Sequence, residues 1–295
     1  MPYVYLVTSA VFHYLGPAFA VLLFARVDVL GVAWLRIAAA ALVLGLWRRP
    51  KIRRDQLGLV LAWGAVLALM NCCFYLALDR LPLATVASIE FLPVVALAAL
   101  GARTPRNAVA LAFAVVGVVC VTGFTIAGDD VLGLVFAVAN AAGFAAYIVL
   151  GHRVAADEGI DGLALAMVVA FVVVTPFAAW AAVPAFTDPV VLAAGIAVGV
   201  CSSVIPYVSD QLAMALVPRA TYALMVALLP ATAVIIGVVV LSQVPTTREA
   251  LGVALVVAGV GLHQRSSATS ARSSKPRVLG GASPSTSTAP PGQYG

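Results

Sequence analysis

The sequence contains little charge. Only 10% of its 295 residues are charged, whereas 63% are hydrophobic and the mean hydropathy is +1.08. A soluble domain carries roughly a quarter charged residues, and so few charges cannot cover a globular surface in water. The composition therefore predicts an all-α polytopic membrane protein. At about 20 residues per span, the chain has room for around ten helices.

The sequence also lacks the motifs of common enzyme families. It contains no HExxH sequence, no GxSxG-type nucleophile and no P-loop. Its four cysteines lie in apolar runs without metal-ligand spacing, and we interpret them as small packing residues. We therefore expect no enzymatic activity, no metal and no cofactor.

Apolar runs between charged or Gly/Pro-rich breaks predict ten transmembrane helices. They cover residues 4–24, 29–47, 57–78, 83–101, 107–125, 132–152, 163–182, 190–215, 220–241 and 246–263.

The basic residues indicate how these helices are oriented. If the N-terminus is cytoplasmic, thirteen of the 17 Lys and Arg residues fall on the inner side. Arg26, Arg80 and Arg248 fall outside, and Arg36 lies within a span. An excess of Lys and Arg in cytoplasmic loops is typical of membrane proteins. The pattern predicts a multi-pass protein of a bacterial plasma membrane with both termini in the cytoplasm, and it argues against nucleic-acid binding.

The two halves of the sequence resemble each other. In the first half Pro82 is followed by Thr85 and Pro93, and in the second Pro218 is followed by Thr221 and Pro230. Five helices per half is an odd number, so the second half would cross the membrane in the opposite sense. The fold class predicted is ten transmembrane helices arranged as two inverted five-helix repeats.

The predicted domains are residues 4–125 for the first repeat and 132–263 for the second. Residues 264–295 are rich in Ser, Thr, Pro and Gly and cannot bury an apolar core. We expect them to form a disordered cytoplasmic tail.

Glu90 lies near the centre of the apolar run from Leu83 to Gly101, three residues before Pro93. A charge at the centre of a span costs roughly 3 kcal/mol, and a proline interrupts helical hydrogen bonding. We predict that Glu90 binds a substrate ammonium group or carries a proton. The structural alternative is a salt bridge with Arg36, which is itself either such a partner or a clamp for a substrate carboxylate.

Other polar side chains and prolines inside the predicted spans are further candidates. Each has a structural alternative in hydrogen bonding or packing between helices. The remaining candidates for a substrate or proton pathway are Asp210, His13, Asn71, Tyr75 and Asn140. The helix breaks expected to line a cavity are Pro93, Pro206 and Pro230.

The predicted fifth and tenth helices carry stripes of small residues, which include Ala110, Ala114, Gly117, Gly252 and Gly259. Small residues allow helices to approach each other closely. The stripes predict close packing, either inside one chain or between the protomers of a homodimer.

The order and spacing of several of these segments resemble the EamA-type branch of the drug/metabolite transporter superfamily, nearest its threonine/homoserine exporter group. The segments that carry the resemblance are His13 to Pro17, Trp34 to Arg36, Pro82 to Pro93, Ser202 to Tyr207 and Ala220 to Pro230. The resemblance implies two inverted repeats around a central cavity, and efflux of small metabolites driven by an ion gradient.

We therefore predict a secondary active transporter that exports small polar metabolites, such as amino acids of the threonine/homoserine type, in exchange for protons. A drug, nucleoside or sugar-type substrate is an alternative within the same fold. A channel or a non-transporting membrane scaffold is the alternative from another class. The expected partners are a small-molecule substrate and the lipid bilayer.

Overall fold

The computed structural model describes residues 2–48, 56–93, 105–122, 129–155, 159–216 and 229–273. Across these ranges the regular structure is helical, without a strand. The all-α prediction is therefore confirmed. The helices are α1 Pro2–Leu23, α2 Val29–Arg48, α3 Leu57–Leu78, α4 Leu83–Glu90, α5 Pro105–Thr122, α6 Asp129–Ala155, α7 Gly159–Ala178, α8 Pro189–Gly199, α9 Ile205–Leu216, α10 Leu229–Leu241 and α11 Thr247–Ser273.

Two helical segments depart from regular α-helix geometry. A 3-10 helix, Ala179–Thr187, follows α7, and a π-helical turn, Val200–Val204, joins α8 to α9. The π turn ends two residues before Pro206, whose missing N–H disrupts the hydrogen-bond ladder. The helix break predicted at Pro206 is thus accompanied by a π turn between two α-helical segments.

Several helical stretches are long and apolar enough to cross a bilayer. Within the described ranges, four meet this criterion by length and composition: Val29–Arg48, Leu57–Leu78, Gly159–Thr187 and Pro189–Ser209. Shorter apolar helices cover Val7–Leu23, Ala108–Cys120, Val131–Tyr147 and Ala231–Leu241. Transmembrane helices are therefore confirmed, while the total of ten spans and their orientation remain predictions.

Short polar sequences begin two of the second-half helices. At α8, Asp188 Oδ1 accepts hydrogen bonds from the Val190 and Val191 amides at 2.9 and 3.3 Å, and Pro189 occupies the first turn. At α11, the Thr246 amide donates to Glu249 Oε2 at 2.7 Å, and the Glu249 amide donates to Thr246 Oγ1 at 3.3 Å. This reciprocal pair is a capping box, which satisfies backbone donors that have no helical partner.

The last helix extends past its predicted end at residue 263 and continues to Ser273. The helix therefore covers the first ten residues of the predicted disordered tail, which stays a prediction. Neither glycine nor proline occurs between Gln264 and Ser273, so nothing in this stretch interrupts the helical ladder. Residues 274–295 lie outside the described residues.

The helices pack mainly between the two halves of the chain. Helix α3 packs on α6 and α7, α1 packs on α9, and α2 packs on α7 and α8. Helix α4 contacts α10, and α5 contacts α11. The two halves are therefore interlocked and do not form separate packing units. These pairings are also expected if a two-fold axis relates the two halves of the chain. Such an axis would exchange α1 with α6 and α3 with α9, so that the contact of α3 with α6 becomes the contact of α9 with α1.

Helices α5 and α11 pack closely through the predicted small-residue stripes. A Cβ atom added at Gly117 would lie 2.6 Å from the Gly252 carbonyl oxygen, and one at Gly259 would lie 2.6 Å from the Ala110 carbonyl oxygen. Both distances are shorter than a van der Waals contact. The stripes therefore pack against each other inside one chain, which resolves the alternative left open by the sequence.

We predict that Gly117→Ala lowers the free energy of unfolding by about 1–3 kcal/mol, because the added methyl group would overpack the α5–α11 contact. The matched control is Gly58→Ala on α3, where an added Cβ would meet nothing within 4 Å. This control should be neutral or slightly stabilising, because alanine favours a helix. Thermal unfolding of the protein in detergent measures both changes, and equal stability of the two variants would contradict the packing.

Candidate functional site

A small cavity lies between the helices at the centre of the bundle. Its volume is about 20 Å³, enough for roughly one water molecule. It is lined by His13, Arg36, Met70, Asn71, Phe74, Glu90, Asn140, Phe144 and Tyr207. Five of these are residues that the sequence singled out as candidates. The protein therefore brings together side chains from both halves of the chain at one enclosed point.

Glu90 is the last residue of α4 and only 4% of it is exposed. Each of its carboxylate oxygens has a donor: the Tyr14 hydroxyl donates to Oε2 at 3.3 Å, and Asn140 Nδ2 donates to Oε1 at 3.1 Å. Tyr14 comes from α1 and Asn140 from α6, so three helices meet at the carboxylate. Hydrogen bonds of this kind replace part of the hydration that a buried carboxylate loses.

Arg36 is also buried, but its partners lie at the break between α8 and α9. Its Nε donates to Ser203 Oγ at 2.8 Å, and its Nη2 donates to the Ser202 carbonyl oxygen at 3.0 Å. In a regular helix, the amide of residue 206 would bond to the Ser202 carbonyl, but Pro206 has no N–H. The guanidinium of Arg36 supplies the missing donor, and this contact ties α2 to the broken eighth span.

Glu90 and Arg36 line the same cavity without forming a salt bridge. Both lie in the described part of the chain, and the ion pairs found there join Arg26 to Asp188, Arg48 to Asp161 and Arg80 to Asp79. The salt bridge considered as a structural alternative for Glu90 is therefore absent. Each charged group is hydrogen-bonded to neutral partners instead. The two opposite charges therefore lie at separate positions on the wall of the same cavity.

Aromatic side chains surround these charges. The Arg36 guanidinium lies 5.3 Å from the centre of the Tyr75 ring, a cation–π distance. A stacked series joins Trp63 to Tyr147 at 5.6 Å and Tyr147 to Tyr207 at 6.1 Å between ring centres. Tyr75 therefore contacts the candidate site through Arg36, whereas Tyr147 is part of an aromatic packing arrangement.

The remaining candidates take different positions. His13 lines the cavity, and within the described ranges its buried Nδ1 atom has no hydrogen-bond partner. Pro93 follows the end of α4, three residues after Glu90, and Pro206 lies in α9 directly before Tyr207. Glu90 and Tyr207 both line the cavity. Asp210 and Pro230 lie in α9 and α10, but their side chains fall outside what the structure describes.

Three contact residues were missed by reasoning from the sequence. Tyr14, rather than its neighbour His13, donates to Glu90, and Ser202 and Ser203 bind Arg36. The serines were visible as a hydroxyl pair before Pro206, but nothing in the sequence indicated their partner. Tyr14 carried no signal of its own, because tyrosine in an apolar helix usually serves in packing.

A second cavity, of about 190 Å³, lies at the other end of α4. It is lined by Pro82, Ala84, Thr85, Val234, Gly237, Gln243, Val244, Pro245 and Glu249. Gln243 Oε1 accepts a hydrogen bond from the Leu83 amide at 3.1 Å, which connects the start of α4 to the α10–α11 link. Helix α4 thus carries Thr85 at one cavity and Glu90 at the other.

Comparisons with known proteins identify similar transporters. Residues 131–263 match the EamA-like transporter family. The chain is 28% identical over 248 residues to the threonine/homoserine exporter RhtA of Escherichia coli strain K12, with 82% of this chain and 84% of the exporter covered. Residues 131–263, a little under half of the chain, are therefore similar to the EamA-like transporter family, and the similarity to the exporters extends over most of the chain. These similarities support a membrane transporter.

Two further matches extend this result. The threonine/homoserine exporter RhtA of Salmonella typhimurium strain LT2 is also 28% identical over 248 residues, with 82% of this chain and 84% of that exporter covered. A solved structure described only as a crystal structure of protein matches with a TM-score of 0.56, at 20% sequence identity, over 93% of this chain and 98% of its own. At that identity the likeness concerns the fold alone.

We predict that Ser203→Ala lowers the free energy of unfolding by about 1–3 kcal/mol, because Arg36 would lose a hydrogen bond while remaining buried. The matched control is Ser88→Ala, since the buried Ser88 hydroxyl bonds only to the Ala84 carbonyl of its own helix, at 2.7 Å. That substitution should change stability by much less. Unfolding of both variants in detergent provides the measurement, and an equal loss in the two would contradict the role of Ser203.

Proposed function

We propose that this transporter exports small amino acids in exchange for protons, and that the substrate binds in the cavity between Glu90 and Arg36. The observation that carries the proposal is the pair of buried, opposite charges that line one cavity without pairing. Keeping either charge inside an apolar bundle is costly. Two unpaired charges are best explained by a ligand that carries the complementary pair.

A free amino acid carries such a pair. Its ammonium group would bind the Glu90 carboxylate, with Asn140 beside it, and its carboxylate would bind the Arg36 guanidinium. Arg36 uses Nε and Nη2 for its protein contacts, and its planar group has further N–H donors. The threonine/homoserine exporters among the relatives support a substrate of this class. A neutral sugar would leave both charges unpaired, which argues against the sugar-type alternative.

Exchange for protons follows from the same carboxylate. Glu90 can hold either a proton or the ammonium group of the substrate, because its negative charge is lost when it is protonated. If the protein changes conformation only when Glu90 is neutralised, it carries a proton in one direction and the substrate in the other. This competition couples amino-acid export to proton entry without a second ion site.

Transport also requires the cavity to open to each side in turn. A volume of about 20 Å³ is too small for an amino acid, so binding would require the helices around the site to move apart. We infer that the interlocked halves, acting as two inverted repeats, rock about the breaks near Pro93 and Pro206. Helix α4 would then open a path from Glu90 toward the second cavity, on the side predicted to face outward.

The orientation is part of the proposal. The excess of basic residues on one side supports an orientation with both termini in the cytoplasm of a bacterial cell. Substrate would enter the cavity from the cytoplasm and leave on the opposite side of the plasma membrane. A scaffold would have no use for Glu90 and Arg36 at the centre of the bundle, which argues against the non-transporting alternative.

We predict that Glu90→Gln lowers amino-acid efflux from expressing cells by about tenfold or more, because each 1.4 kcal/mol of lost interaction is a tenfold change. The matched control is Asp188→Asn at the start of α8, outside both cavities, where asparagine also caps the helix N-terminus. The control should export at the wild-type rate. Both variants must be inserted in the membrane at equal levels.

Two results would contradict the proposal at different points. Efflux above the empty-vector level but equal in wild type and Glu90→Gln would leave the transporter intact and make Glu90 a structural residue. If no tested amino acid moves in cells that express the wild type, the substrate class itself is wrong.

Proton exchange is tested with purified protein in liposomes. We predict that an imposed pH gradient drives threonine uphill in wild-type vesicles and that a protonophore abolishes this accumulation. Glu90→Gln should fail to accumulate substrate under the same gradient, because glutamine cannot exchange a proton. Accumulation driven equally well by a sodium gradient at constant pH would overturn proton coupling.

A further inference from the structure

Asn71 presents a hydrogen-bond acceptor to the central cavity. This residue of α3 lines the cavity and is only 3% exposed. Its Nδ2 donates to the Leu67 carbonyl oxygen at 2.7 Å. Because a carbonyl can only accept, this contact identifies which atom of the amide is nitrogen. The Asn71 oxygen therefore points away from Leu67, and among the described residues no donor bonds to it.

Apolar side chains also line this cavity beside the polar ones. Met70 and Phe74 flank Asn71 on the same helix, and Phe144 of α6 is a further apolar residue of the lining. An amide in such a wall carries a desolvation cost that leucine would avoid. Asn140 is different, because its amide nitrogen already donates to the Glu90 carboxylate, although its own oxygen also lacks a partner among the described residues. The Asn71 oxygen is thus an unpartnered acceptor on a side chain that binds neither charged group.

We propose that Asn71 determines specificity by accepting a hydrogen bond from a hydroxyl group on the side chain of the substrate. The inference rests on the proposed function, because it takes the substrate to be an amino acid held by Glu90 and Arg36. Those two residues bind groups that all amino acids share. Asn71 would contact the side chain, which differs between amino acids. Its apolar neighbours favour a short, uncharged side chain with a single hydroxyl.

Threonine and valine provide the sharpest comparison, because they have nearly the same shape and differ by a hydroxyl in place of a methyl group. An apolar pocket discriminates poorly between such a pair, whereas a site built to bond the hydroxyl rejects the analogue that lacks it. Valine would leave the Asn71 oxygen buried without a partner. We expect wild-type protein to prefer threonine over valine by about tenfold or more in kcat/KM.

The experiment measures kcat/KM for labelled threonine and valine with wild type and Asn71→Leu in liposomes. The variant keeps the volume of the side chain but removes the acceptor, so the preference for threonine should fall to about twofold or less while valine is still transported. The matched control is Met70→Leu, which alters the same wall without touching the acceptor and should keep the preference. Loss of the Asn71–Leu67 contact alone would slow both substrates equally and leave their ratio unchanged.

The outcomes separate this inference from the proposed function. Transport of both amino acids by wild type with no preference for threonine overturns the role of Asn71 and leaves the export of amino acids standing, even if Asn71→Leu fails to fold. An unchanged ratio in a folded Asn71→Leu variant overturns it as well. If wild type transports neither amino acid, the proposed function fails and the inference falls with it.

Discussion

The central arrangement depends on one electrostatic constraint: a carboxylate and a guanidinium are held inside an apolar bundle without neutralising each other. Each charge must then be stabilised by neutral hydrogen-bonding groups of the protein. For Glu90 these are Tyr14 and Asn140, and for Arg36 they are Ser203 and the Ser202 carbonyl. Five helical segments are drawn together by these contacts, so the charges organise the centre of the protein as well as its site.

The helix break before Pro206 is part of this solution. A regular helix satisfies its own carbonyl groups and has none to offer a buried cation. Pro206 lacks the N–H group that an α-helix would direct at the Ser202 carbonyl, and this carbonyl accepts a hydrogen bond from Arg36. One contact thus serves both the interrupted helix and the buried guanidinium. The same contact leaves α2 attached to the segment that we propose bends during transport.

The interlocked halves explain how a site can be shared between repeats. Helix α3 of the first half packs on α6 of the second, and α1 packs on α9. Side chains of both halves therefore line the same central cavity. Among the described residues, α5 and α11 contribute none of the residues that line the central cavity, and their glycines bring the two backbones into close contact. This pair therefore packs away from the proposed site.

The sequence by itself determined the all-α membrane architecture, most helix limits and the residues worth examining, because apolar length and misplaced charge are local properties of a chain in a bilayer. It identified Glu90, Arg36, Asn71, Asn140 and His13, which all line one cavity. It could not identify which partners these residues would find. Whether Arg36 pairs with Glu90 or with Ser203, and whether Tyr14 or His13 reaches the carboxylate, depends on how helices rotate and pack against each other. That choice is decided by contacts between segments far apart in the chain, and only the tertiary structure contains it.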